Sequence, residues 1–157
     1  MKSIFLACLI FGNLAFSAEA SFDIKLSPAG NFTGKTSDVK GSAKKMGSKF
    51  TAENIMVNLT TVKTGIELRD EHTLKYLEAS KHPNAILVKA EGENGKGTGV
   101  IKIKGIEKPI KGTFKINGNE LMAEFPISLK EFKIEGIRYM GVGVKDQVIV
   151  KVKVPVQ

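Results

Sequence analysis

The residues best equipped for chemistry stand in one short stretch, Arg69-Asp70-Glu71-His72, with a second histidine at His82. An aspartate near a histidine could form a base and the group that orients it, but acyl transfer of that kind also needs a placed nucleophile. No Gly-x-Ser-x-Gly elbow occurs, so a hydrolase or isomerase working through Arg69, Asp70 and His72 is an alternative that lacks its nucleophile. His72, His82 and Asp70 match no helix-face metal pair, and neither a metal nor any other cofactor is expected. A plainer reading has Asp70 favour a helix N-terminus, Arg69 pair locally and His72 close a hydrogen bond between helix and sheet. A third has Arg69 and His72 at the mouth of a cavity, touching the polar head of a ligand.

Composition narrows the field of function. The 157 residues suit one domain, 42% apolar content supports a core, and 25% charged residues go with a folded chain. Lys+Arg 24 against Asp+Glu 16 gives a net charge of +8, yet only Arg69 and Arg138 are arginines and tryptophan is absent. Nucleic acid is therefore not expected as a partner, because such sites gather arginine and stacking aromatics. The lysines alternate with apolar residues and belong to wetted faces, where they also discourage edge pairing. Such a surface would attract anionic lipids, at about 1 kcal/mol per lysine near a membrane.

Residues 1–20 read as a cleavable signal peptide: Lys2, an apolar stretch from Ile4 to Phe16, then Ala18-Glu19-Ala20 ahead of the cut. The apolar stretch falls short of the roughly 20 residues of a spanning helix. Export to the periplasm is expected, leaving one domain over residues 21–157. Cys8 departs with the signal, so burial rather than disulfides must hold the fold.

The remainder alternates with a period of two. Leu121, Ala123, Phe125, Ile127 and Leu129 share one face of a strand, as do Ile110, Gly112, Phe114 and Ile116, and Val148, Val150, Val152 and Val154. Ile101 and Ile103, Phe22-Ile24-Leu26, Val39-Gly41-Ala43 and Ile86-Val88-Ala90 give further strands. Phe50 and Ala52 lie out of phase with Ile55, Val57 and Leu59, which predicts a bulge near Glu53-Asn54. Asn117-Gly118, Glu93-Asn94-Gly95 and Met46-Gly47-Ser48 are hairpin signals. Pro126 removes a ladder donor and belongs at an edge or irregularity. Glu67 to Ala79 predicts a helix, stopped by Pro83. About eight antiparallel strands result, which periodicity alone allows to be a sandwich or a closed barrel.

Three ordered motifs go further. Thr64-Gly65-Ile66-Glu67-Leu68-Arg69-Asp70-Glu71-His72 with Lys81-His82-Pro83, then Lys104-Gly105-Ile106-Glu107-Lys108-Pro109-Ile110, then Ser128-Leu129-Lys130-Glu131-Phe132-Lys133-Ile134 with Val148 to Val154, resemble the YceI family of exported lipid-binding proteins. The likeness covers most of residues 22–154, and the opening strand from Phe22 departs from it. It implies a mainly β fold, a lipocalin-like eight-stranded antiparallel barrel with a short helical insertion, holding a polyisoprenoid or fatty-acid-like amphiphile.

The dry-face pattern and the resemblance together nominate ligand-contacting residues. Phe50, Ile55 and Val57 come from one strand, Ile86 and Val88 from the next, and Phe114, Ala123, Phe125 and Ile127 from a later hairpin. Leu74 and Leu77 come from the helix, Phe132 from the third motif, and Arg69 and His72 toward the head group. Small residues among large ones (Gly41, Ala43, Ala52, Ala90, Gly112, Ala123 beside the phenylalanines) would leave room for an alkyl chain. Each buried methylene contributes about 0.8 kcal/mol, so ten would give roughly 8 kcal/mol before ordering costs. The expected function is a non-enzymatic carrier that sequesters a lipid and touches membrane surfaces transiently. A homodimer is compatible with it. The rival is a stress-linked interaction protein whose barrel is filled by its own side chains.

Overall fold

The computed structural model describes residues 17–157, so residues 1–16 of the signal peptide expected over residues 1–20 lie outside the described residues, and its last two, Glu19 and Ala20, open the first strand. In chain order the elements are β1 (Glu19–Ser27), β2 (Asn31–Thr36), β3 (Val39–Lys40), β4 (Ala43–Met46), β5 (Lys49–Asn58) and α1 (Glu67–Tyr76). They continue as β6 (Asn84–Glu93), β7 (Lys96–Ile103), β8 (Ile106–Asn117), β9 (Glu120–Ser128), β10 (Arg138–Tyr139) and β11 (Val142–Pro155). Seven of the eight strands expected from alternation are long ones (β1, β5, β6, β7, β8, β9 and β11). The eighth, Val39-Gly41-Ala43, is broken at Gly41 (φ 123°) into the fragments β3 and β4, and β2 and the fragment β10 were not expected.

One sheet runs in the order β2-β1-β11-β9-β8-β7-β6-β5-β3, every neighbour antiparallel. The sheet's two end strands, β2 and β3, are consecutive in the chain, so residues 31–46 cross the seam and nearly close the barrel. Lys35 and Lys63 exchange backbone hydrogen bonds of 2.8 Å there, and the Asn58 amide donates to the Asp38 carbonyl at 2.9 Å. At the far end the Gln157 amide donates to the Ala43 carbonyl at 2.8 Å, tying β4 to the chain end beyond β11. Closure removes most of the unpaired backbone that an open sheet would expose.

Local sequence explains the corners. Asn94 and Gly95 both take positive φ (53° and 77°), as do Lys104 and Gly105 (53° and 75°), which a two-residue primed hairpin requires. Pro126 sits where β9 pairs only with β11, since the β8 ladder ends at Thr113 opposite Glu124, which places it at a locally free edge of β9 as expected. The expected bulge is present, since Lys40 faces Met56 but Ala43 faces Ala52, one extra residue on β5, with Asn54 at φ 52°.

Helix α1 ends at Tyr76, short of the expected Ala79. Glu78 adopts φ 50°, the Ala79 amide bonds the Leu74 carbonyl and the Glu78 amide the Lys75 carbonyl, both at 3.0 Å. That is a Schellman stop, here with a glutamate in the left-handed position, and it acts ahead of Pro83.

Candidate functional site

A cavity of about 570 Å³ occupies the barrel between α1 and the β10–β11 hairpin, within the range of about 300–1,000 Å³ usual for small-molecule sites. Its wall is almost entirely apolar: Phe22, Ile24 and Leu26 of β1 face Ile101 and Ile103 of β7, with Phe125, Ile127, Val148 and Val150 between them. A second hollow of about 80 Å³ lies toward the other end, around Phe50 and Phe114. Ile55, Leu87, Phe125 and Val152 line both.

The small residues do not make the large hollow, contrary to the expectation from their size. Ala43, Ala52, Ala90, Gly112 and Ala123 surround the minor hollow, where the missing volume is taken up by a ring and by close backbone. A Cβ on Gly92 would come within 2.5 Å of the Phe114 ring, and one on Gly112 would collide with the Glu124 carbonyl oxygen. The large cavity is instead bounded by branched and aromatic side chains, so barrel circumference opens it rather than small side chains.

The nominated residues divide as follows. Ile55, Val57, Arg69, His72, Leu77, Phe125 and Ile127 line the large cavity. Phe50, Phe114 and Ala123 line the minor one. Leu74 packs on the main core from its outer side, and Phe132, with no exposed surface, is embedded in that core. Ile86 and Val88 line neither cavity; the inward residues of β6 are Ala85, Leu87 and Ala90. Two causes displace them. The run Ile86-Leu87-Val88 is apolar at every position, so it carries no phase, and the register against β7 shifts between Leu87 and Lys89.

The polar cluster is built by the loop before α1. The Asp70 carboxylate accepts from the Thr64 amide and the Thr64 hydroxyl, each at 2.6 Å, and lies 3.7 Å from the Lys63 ammonium. The Thr64 hydroxyl bond, more than the neighbouring lysine charge, holds the Asp70 pKa below the ordinary carboxylate value against an opposing burial effect. Asp70 is therefore committed to Thr64 and does not orient His72. The His72 ring meets the Tyr139 ring edge-on, with centroids 5.4 Å apart, in place of the expected hydrogen bond between helix and sheet. The Arg69 guanidinium donates from Nη2 to the Thr64 carbonyl and lies over the Phe32 ring, 4.3 Å from its centroid. Its Nε is buried and has no hydrogen-bond partner.

Ile66, Leu68, Tyr139, Met140 and Val142 line the cavity and are also exposed, so they mark its mouth. Sequence reading missed this rim because exposed apolar residues break periodicity rather than follow it. The one usable signal was Met140-Gly141, both at positive φ (49° and 80°), a hairpin tip carrying a large apolar side chain into solvent.

A nearly closed antiparallel barrel with an apolar interior and one short helix defines a lipocalin-like fold. The model of the YceI-like domain matches residues 15–156, and the chain belongs to the YceI-like domain family. A UPF0312 protein of Pectobacterium carotovorum subsp. carotovorum is 32% identical over 97 residues, 52% of this chain and 50% of that protein. The chain thus spans about half the length of the curated relatives it matches. Among solved structures, Burkholderia cenocepacia BcnA superposes with a TM-score of 0.66 at 17% identity, covering 87% of this chain and 94% of that one. A polyisoprenoid binding domain from Saccharophagus degradans, implicated in plant cell wall breakdown, superposes with a TM-score of 0.59 at 12% identity over 88% of this chain and 93% of that one. At these identities the likeness is one of fold.

Proposed function

We propose that this protein is an exported, non-enzymatic carrier that encloses one long-chain amphiphile, a polyisoprenoid or a fatty-acid-like lipid, and moves it through the periplasm. The observation that carries this reading is the 570 Å³ cavity, whose wall is almost entirely apolar. An aqueous ligand would find almost no hydrogen-bond partners on such walls, whereas each methylene sequestered there contributes about 0.8 kcal/mol. The polyisoprenoid-binding description of the Saccharophagus degradans domain supports the same ligand class. The commitment of Asp70 to Thr64 favours binding over catalysis.

Exchange with a bilayer fits the apolar rim and the +8 charge, because a greasy guest needs an apolar route out of the membrane and lysines favour an anionic one. Export rests on residues 1–20, with cleavage after Ala20; N-terminal sequencing of the secreted protein should begin at Ser21. The carrier reading is tested by native mass spectrometry of gently purified protein followed by solvent extraction. A co-purifying amphiphile is expected. An empty protein that also refuses added lipids would overturn the proposal.

A further inference from the structure

Arg69 presents an unsettled account within an otherwise satisfied site. Its Nη2 bonds the Thr64 carbonyl and its plane covers Phe32, but Nε is buried without a partner, the sole such side-chain atom among the described residues. The ion pairs among the described residues are Lys63–Asp70, Lys104–Glu78 and Lys151–Asp23. No carboxylate neutralises Arg69, and the adjacent Asp70 is taken by Thr64 and Lys63. A guanidinium set in an apolar wall with an idle donor costs free energy until an anion meets it. Arg138, the only other arginine, also lines the cavity.

We infer that the cavity selects amphiphiles whose head carries an anionic oxygen, a carboxylate or a phosphate, and that Arg69 is the residue that reads it, donating from Nε to that oxygen. The inference deepens the carrier reading and rests on it. The head lies beside Arg69 at the helical side of the mouth, and the chain runs inward past Phe125 and Ile127. The cation over Phe32 holds the fork in place before the ligand arrives, so little side-chain freedom is lost on binding.

Three probes with the same chain separate the possibilities by calorimetry below their aggregation limits: oleic acid, oleyl phosphate and oleyl alcohol. Both anions should bind about tenfold or more tighter than the alcohol, as expected for a hydrogen bond to a charged group. The tighter of the two names the head. Arg69→Met, which keeps an aliphatic stem over Phe32, should reduce the anions to the alcohol's affinity and leave the alcohol within about twofold of its original value. Arg69→Lys, keeping charge but losing the fork, should restore only part of the preference. Retained alcohol binding by Arg69→Met also reports that the variant is folded; were it lost, the Arg69→Lys comparison decides. Equal binding of all three probes to the native protein would overturn the inference and leave the carrier reading standing. So would a preference abolished by Arg138→Met and untouched at Arg69. Failure of all three to bind would overturn both.

Discussion

Phe50 and Phe114 meet edge to face, 5.6 Å between centroids, across the end of the barrel away from the mouth. Gly92, Gly97 and Gly112 press close to this pair and its neighbours, so the rings close the minor hollow, while Ile55, Leu87, Phe125 and Val152, which line both hollows, form the floor of the large cavity. Phe125→Ala, which removes a ring that lines both hollows, should join the minor hollow to the main one and shift the preferred guest to a longer chain, at a stability loss of about 3–5 kcal/mol. A series of fatty acids of increasing length, titrated against native and variant protein, reads the shift. An unchanged length optimum would mean that the floor does not limit the ligand.

The same floor gives two enlargements different consequences. Ala123 faces Phe114 across the β8–β9 ladder and touches only the minor hollow, so Ala123→Phe should overpack a filled end, costing about 1–3 kcal/mol, while ligand still binds. Val150 lines the large cavity, and Val150→Phe should lower lipid affinity with a smaller loss of stability. Thermal melting and ligand titration on both variants distinguish the ends.

Acid should weaken the fold. Asp70 is held below its ordinary pKa first by the Thr64 hydroxyl, Asp146 first by the Ser128 hydroxyl at 2.6 Å, and Asp23 first by Lys151 at 2.9 Å. A depressed folded-state pKa stabilises the fold above the unfolded value, near 4, and that contribution is lost as pH falls through the lower folded value. Melting temperature should therefore be level at mild pH and fall below about pH 4. Asp70→Asn should melt lower than the native protein at neutral pH, and the gap should close as the solution is acidified. A gap independent of pH would place the role of Asp70 in shape rather than charge.

Glu78 holds the left-handed position that stops α1. Glu78→Gly removes the Cβ penalty and should raise stability by about 0.5–1 kcal/mol. Its 3.9 Å contact with Lys104 is half-exposed on the glutamate side, and the lysine keeps its 3.0 Å bond to the Lys133 carbonyl, so Glu78→Gln should be nearly neutral. Denaturant unfolding of both variants checks the pair.

Met140 is the most exposed of the rim residues, at 85%. Met140→Asp should slow lipid uptake from anionic vesicles severalfold and leave affinity for monomeric lipid unchanged. Equal uptake rates would remove the rim from the route.

Strand existence was legible where one face is dry and the other wet; the Val148–Val154 and Leu121–Leu129 alternations pass straight into β11 and β9, whereas β2 (Asn31–Thr36), with Phe32 its one large apolar residue, gave no such pattern. Phase was legible only where polar residues marked it, which is why Phe125 and Ile127 could be assigned inward and Ile86 and Val88 could not. The stop of α1 at Glu78 left no trace in the sequence, since glutamate is a good helix former and the left-handed turn is imposed by the contacts that Leu74 and Ala79 make with the core. The position of the hollow was illegible for a different reason: volume inside a barrel follows from strand number and tilt, and no single residue type encodes either.

The seam at Lys35 and Lys63 sets where the cylinder can give. Every other junction between long strands is a ladder of five pairs or more, such as the nine pairs from Gln147 to Pro155 along β11 and β9, but at Lys35 and Lys63 two backbone hydrogen bonds fasten β2 to the chain beyond β5. Isotope exchange should reach the Lys35 and Lys63 amides well before those of Val150 or Phe125. A wall joined along one thin weld should part there first, by a lost stitch instead of a broken sheet.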